Sequence, residues 1–203
     1  MKNEKPILFS GEMVRAILEG CKTQTRRVIK HQPIRGNVYL TKDDNVWAAQ
    51  TDRSVVTYFN CKHGWRGDRL WVKETFQLNT PPSGFIYRAD DVSGHIQTRW
   101  KPSIFCTRKA SRITLEITSV RVERLKDISE VDAKAEGITP RQYRDDTFWT
   151  NYLKGTKPKG GVDGEVIAFR SPIESYSSLW NSINGAGSWD ANPWVWVIEF
   201  KKI

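Results

Sequence analysis

Apolar positions in this chain come in short runs separated by polar turns, and the runs change period along the sequence. Pro6-Ile7-Leu8-Phe9 is followed by Ser10 in N-cap position, and Met13, Val14, Ile17 and Leu18 then recur at helical spacing. Gly20 supplies a left-handed stop, so the pattern predicts a two-turn helix from about Glu12 to Glu19. A Gly67-Asp68 turn feeds the alternating stretch Arg69-Leu70-Trp71-Val72-Lys73, read as a strand. Pro81-Pro82-Ser83-Gly84 forms a turn before a short strand, Phe85 to Arg88. Ser111 to Arg124 is the clearest strand: Ile113, Leu115 and Ile117 alternate with Thr114, Glu116 and Thr118, and the phase shifts near Ser119 as at a bulge. Ser129 with Asp132 three residues on resembles a capping box and starts a short helix that ends at Gly137. A helix spans about Ser175 to Ile183, with Leu179, Trp180 and Ile183 on one face. Trp194 to Phe200 is apolar on both faces, the signature of a central strand.

Two stretches break the pattern. Residues 31–62 are polar, with Pro33, Gly36 and the strand candidate Asn37-Val38-Tyr39-Leu40, and read as an excursion carrying a hairpin. Residues 139–170 are loop-like and include the basic, glycine-rich Lys154 to Gly161. Strands outnumber short helices throughout, so the fold class is α+β: a curved sheet or small barrel with helices packed outside, in a single domain.

The chain has 203 residues, enough to bury a core without disulfide staples. It is 38% hydrophobic and 27% charged, and its mean hydropathy is −0.56, values of a globular chain. The 32 Lys+Arg against 23 Asp+Glu give a formal charge of +9, which makes a polyanion the first partner to consider. No apolar run approaches the ~20 residues of a membrane span, and the N-terminus does not read as a secretion signal. Three widely spaced cysteines, Cys21, Cys61 and Cys106, argue against a disulfide framework, so a cytoplasmic location is expected. No metal ligand set has the needed spacing, and Walker, dinucleotide and nucleophile-elbow motifs are lacking; no cofactor is expected.

Lys22, Thr23 and Thr25 lie just past the first helix. They read either as a solvated turn or as a lysine desolvated enough to take a proton from a neighbouring hydroxyl. Glu136 sits among Asp127, Glu130 and Asp132, which alone read as a solvated acidic helix face. Of the nine Trp residues, those in apolar segments (Trp71, Trp100, Trp180, Trp194, Trp196) read as core, whereas Trp47, Trp65, Trp149 and Trp189 lie in loops and read as candidates to stack on a base. Tyr87, beside Arg88, is another such candidate.

Together, Ile17 to Arg26, Gly67 to Val72, Ile117 to Val120, Ala133 to Ile138 and Trp196 to Phe200 resemble the ASCH domain family in order and character. The ending Trp189 to Val197 resembles long ASCH proteins of phages and prophages. The resemblance covers about half the chain and skips residues 31–62 and 139–170, which read as insertions at the expected pocket rim. It implies a PUA-like fold, a compact β-barrel with short flanking helices, and a cleft for a nucleoside or an RNA base. It also implies amidohydrolase activity on N4-acetylcytidine through a lysine, a threonine and a glutamate, which fall here on Lys22, Thr25 and Glu136. Arg26 would then steady an oxyanion or a phosphate, and Trp71 or Tyr87 would stack on the base. Two other classes stay open: a non-catalytic RNA-binding module, which the +9 charge suits, and an ASCH-type ribonuclease.

Overall fold

The computed structural model describes residues 3–30, 32, 38–40, 47–50, 56–78, 84–143, 146–153 and 167–203. The Pro81-Pro82-Ser83 part of the expected turn and the Lys154 to Gly161 stretch lie outside these residues. In chain order the elements are β1 (Glu4–Leu8), α1 (Gly11–Leu18), β2 (Gln24–Val28), β3 (Val38–Leu40), β4 (Trp47–Gln50), β5 (Val56–Phe59), β6 (Arg69–Lys73), β7 (Phe76–Leu78), β8 (Phe85–Tyr87), β9 (Thr114–Arg124), α2 (Glu130–Ala135), β10 (Pro140–Tyr143), β11 (Asp146–Thr150), β12 (Ile167–Phe169), α3 (Pro172–Asn184) and β13 (Trp194–Lys202). The chain is therefore α+β, rich in strands, with short helices. No helix among the described residues is long and apolar enough to cross a membrane.

The chain divides into two compact units, and the long strands β9 and β13 each contribute to both. Unit one comprises residues 1–20, 61–120 and 199–203. In it β1 runs parallel to β6, Glu4 opposite Arg69, and β6 runs antiparallel to β9, with Leu70 opposite Leu115. Strand alternation puts Ile7, Leu70, Val72, Leu115 and Ile117 into its core, each at most 1% exposed. The hydroxyl of Ser10 accepts from the amide of Met13 to cap α1, and Gly20 at φ +79° ends it as the sequence predicts. The β7–β8 pair carries a second cluster, in which Phe76 meets Phe85 edge-on at 5.8 Å beside buried Cys106 and Ala110.

Unit two comprises residues 21–60 and 121–198. Its parts of β9 and β13 lie with β2 in the order β9-β13-β2, so the doubly apolar β13 is a central strand, as expected. The polar excursion is more structured than a hairpin: β3, β4 and β5 form an antiparallel three-stranded sheet. The stretch expected to be loop-like likewise holds β10, β11 and β12 in a second three-stranded antiparallel sheet. Each of these strands is three to five residues long, too short for periodicity to show. None of the strand orders among the described residues closes on itself.

Burial also reassigns two tryptophans. Trp47 in β4 packs edge-on against Trp196 of β13 at 6.2 Å, with Phe59 at 5.7 Å from the same ring. Trp149 in β11 is 6% exposed beneath the ammonium of Lys134. Both are core residues rather than exposed stacking platforms. α3 begins three residues earlier than the periodicity suggests, because Ser171 caps it and Pro172 occupies its first turn. Its buried side is Tyr176, Leu179 and Trp180, while Ile183 faces solvent. β9 is one strand from Thr114 to Arg124, and beyond Thr118 its residues of both faces are partly covered.

Trp47→Ala is expected to lower unfolding stability by about 3–5 kcal/mol, whereas Tyr58→Ala, at an exposed position of β5, stays within about 0.5 kcal/mol. Urea denaturation followed by circular dichroism distinguishes these outcomes.

Candidate functional site

The site grows from the segment that follows α1. Beyond Gly20 the chain enters unit two, where the backbone of Lys22 forms an antiparallel bridge with Glu136 and the amide of Thr23 donates to the carbonyl of Ala135 at 2.9 Å. Glu136 is the C-cap residue of α2, a helix started by Ser129, whose hydroxyl accepts from the amide of Asp132, and stopped by Gly137 at φ +93°. The main chain thus sets Lys22 against the end of α2. Its Nζ donates to the Glu136 carbonyl at 2.7 Å and to Glu136 Oε2 at 2.9 Å, and the lysine side chain has no solvent exposure.

From β2, Gln24 and Arg26 project toward the same helix. Gln24 Nε2 donates to the carbonyl of Asp132 at 2.9 Å. Arg26 Nη1 donates to Glu136 Oε1 at 3.2 Å, and Nη2 donates to Glu123 Oε2 and Asp132 Oδ2, each at 3.1 Å. Arg121, on β9, closes the group by donating to Asp132 at 3.2 Å and to Glu123. Three cations therefore meet three carboxylates, and Glu136 is gripped on one oxygen by Lys22 and on the other by Arg26. In a desolvated setting such a group holds together only while every charge has partners, and removing one member typically costs ~3–5 kcal/mol.

The electrostatics follow from burial and pairing. Burial pulls the Lys22 ammonium below the ordinary lysine range, and Glu136 only partly opposes this. Burial also lowers Arg27, the next residue along β2. Arg26 is raised: burial works against its charge, but Glu136, Tyr176, Glu123 and Asp132 outweigh it. Asp132 is lowered, because Arg26 and Arg121 overcome its desolvation. Tyr176, fully buried on α3, is pushed well above the usual phenol range by burial and by the nearby Glu136 charge. The buried Nε of Arg26 has no hydrogen-bond partner among the described residues.

Lys22, Arg26 and Glu136, singled out in the sequence, are thus joined in one hydrogen-bonded group. Thr25 is buried on β2, but strand alternation sends its side chain to the opposite face from Gln24 and Arg26, outside that group. Trp71 and Tyr87 belong to unit one. Trp71 lies half-buried in β6 under Lys73, and Tyr87 in β8 is covered at 4.0 Å by the guanidinium of Arg112 while its hydroxyl donates to the carbonyl of Ala110. The acidic residues around α2 divide: Asp127 and Glu130 are exposed as a solvated face would have them, whereas Asp132 and Glu136 turn inward to the cations. Their i, i+4 spacing, set against the alternation of Lys22, Gln24 and Arg26, was the available signal. Arg121 and Glu123 carry the same two-residue signal on β9, whereas nothing in the local sequence marks Tyr176. Among the described residues no group of three or more His, Cys, Asp or Glu side chains is placed to hold a metal ion.

Arg26→Met removes the shared partner of three carboxylates and is expected to cost about 3–5 kcal/mol; Lys22→Met leaves Glu136 paired with Arg26 and costs less. Because Asp132 titrates lower folded than unfolded, its contribution is fully present above its unfolded pKa of ~3.9 and is lost as pH falls through the lower folded value. Denaturation midpoints of wild type and Asp132→Asn are therefore expected to converge below about pH 4. Set beside known proteins, the chain matches no family model, no curated protein and no solved structure, so the functional reading rests on the residues of this site and on the resemblance of its sequence segments.

Proposed function

We propose that the Lys22–Glu136 group is the centre of an amidohydrolase that removes the acyl group from an N4-acylated cytidine or a related modified nucleoside. The observation that carries this reading is the ammonium of Lys22, held fully out of water against Glu136. A lysine placed so is shifted toward the neutral form, the form that accepts protons. The reading includes membership of the ASCH family and its PUA-like barrel, which short helices beside many strands support at the level of α+β.

The chemistry runs in two steps. Neutral Lys22 takes a proton from water, whose oxygen attacks the acyl carbonyl carbon, since Thr25 lies on the opposite face of β2 from the Lys22 group. The carbon–nitrogen bond then breaks as the departing N4 amine takes the proton from Lys22. The products are the carboxylic acid and the free N4 amine. Glu136 orients Lys22 throughout. Arg26, whose Nη atoms are both engaged by carboxylates, acts by positioning Glu136 rather than by meeting an oxyanion.

Chromatography of N4-acetylcytidine incubated with the protein tests this reading. Conversion to cytidine is expected from the wild type, with losses of about 10²–10⁴-fold in Lys22→Ala and Glu136→Gln. The rate is expected to rise with pH through an inflection below the ordinary lysine range. Absence of conversion by the wild type at high enzyme concentration sinks the proposal. Turnover is expected to be retained in Thr25→Val, and its loss would make the threonine the nucleophile in place of water. Shortened RNA in a parallel incubation, without deacylation, would instead support the ribonuclease class.

A further inference from the structure

Unit one contains a cavity of about 680 Å³, within the size range of ligand sites, and none of its lining residues belongs to the Lys22 group. Its wall combines four aromatic rings, Phe76, Phe85, Trp100 and Phe105, with two basic side chains, Arg99 and Lys101. No acidic residue is among those that line it. The wall is built by the β7–β8 pair and by the segment that follows, which is pinned to β7 by reciprocal backbone hydrogen bonds between Phe76 and Lys101, at 3.2 and 2.8 Å. A 3-10 turn, Ser103–Phe105, then places Phe105 at the rim.

Three features make this wall unlike a core surface. Phe105 is 66% exposed, an aromatic ring left in water where a neighbouring core was available. Arg99 and Lys101 are exposed and form no ion pair among the described residues, whereas Arg112 in the same unit is clamped between Glu74 and Asp90. Arg88 adds a further positive charge, 5.7 Å from the Trp100 ring. Gln77 also lines the cavity, and its buried Oε1 has no partner among the described residues.

We propose that this cavity is a binding site for single-stranded nucleic acid, in which bases stack on the exposed Phe105 and the half-buried Trp100 and successive phosphates meet Arg99 and Lys101. Flat π-faces beside unneutralised cations match a strand of bases and phosphates. Two cations separated by one residue, with several rings, fit consecutive nucleotides better than a mononucleotide, which offers one base and one phosphate. The absence of carboxylates from the wall removes the repulsion that would oppose a polyanion. The site is independent of the proposed deacylation and is tested without any acylated base.

The test is fluorescence anisotropy of a labelled uridine strand of about ten nucleotides, titrated with the full chain at several salt concentrations. Wild type is expected to bind with an affinity that falls as salt rises. The double variant Arg99→Glu, Lys101→Glu is expected to bind about tenfold more weakly or worse, with a log–log salt slope shallower by roughly 1.4, about 0.7 for each lost phosphate contact. Phe105→Ala is expected to weaken binding about fivefold or more at every salt concentration through loss of stacking. All three changes are at exposed positions, and unchanged circular dichroism shows that the variants fold. Binding by both variants at wild-type strength, or no binding by the wild type at low salt, overturns the proposal. Displacement of the strand by uridine monophosphate at equal nucleotide concentration overturns it in favour of a mononucleotide site, and capture by anionic lipid vesicles without strand binding overturns it in favour of a membrane surface.

Discussion

An ammonium group cut off from water needs a negative partner at hydrogen-bond distance, and this need organises unit two. Lys22 finds its partner in Glu136, and Glu136 is desolvated in turn, so its second oxygen needs Arg26. Arg26 carries more donors than one carboxylate can satisfy and gathers Glu123 and Asp132; Arg121 then balances that pair. Each burial creates the demand that the next residue meets, until the sequence of pairings reaches the partly exposed carboxylates Asp132 and Glu123, where water shares the task. The arrangement stabilises a specific geometry more than it stabilises the fold, since apolar side chains of similar volume would avoid the desolvation altogether. A chain that keeps it keeps a fixed, low-dielectric position for one proton carrier.

What could be read from the sequence divides along range of interaction. The caps at Ser10 and Ser129, the stop at Gly20 and the alternation of Leu115 and Ile117 are local effects, and the structure carries them as read. The insertions were under-read because their strands are short and depend on one another: Trp47 is paired with Leu40 and Phe59 on neighbouring strands and packs against Trp196, some 150 positions away. The candidate site was legible in its residue types and in part of its composition, since Lys22, Arg26 and Glu136 do meet. Its supporting residues were not. Asp132 looked like one more charge on an acidic helix, and only its pairing with Arg26 and Arg121 shows why the helix is acidic. Thr25 shows the converse: adjacency to Arg26 in sequence puts it on the other face of the strand.

The excess of basic residues resolves into two populations with different consequences. Arg26, Arg112 and Arg121 are held by carboxylates, and their fields are largely cancelled within a few ångströms. Arg99 and Lys101 are not cancelled, and it is such residues that give a formal charge of +9 its reach into solution. Net charge therefore says little about where a partner sits until the neutralised residues are subtracted.

The two residues at the heart of unit two are 114 positions apart and are tied to each other by backbone as well as side chain. The entropic cost of closing a loop grows only with the logarithm of its length, about 0.6 kcal/mol for each doubling. Once a chain has accepted a closure of this span, further residues inserted between its ends add little to the cost. The sheet of β3, β4 and β5 lies wholly inside that closed loop, so residues added between its strands change the closure cost little while the lysine and the glutamate still meet. A contact of such long range leaves the intervening chain free to diversify around a fixed chemical centre.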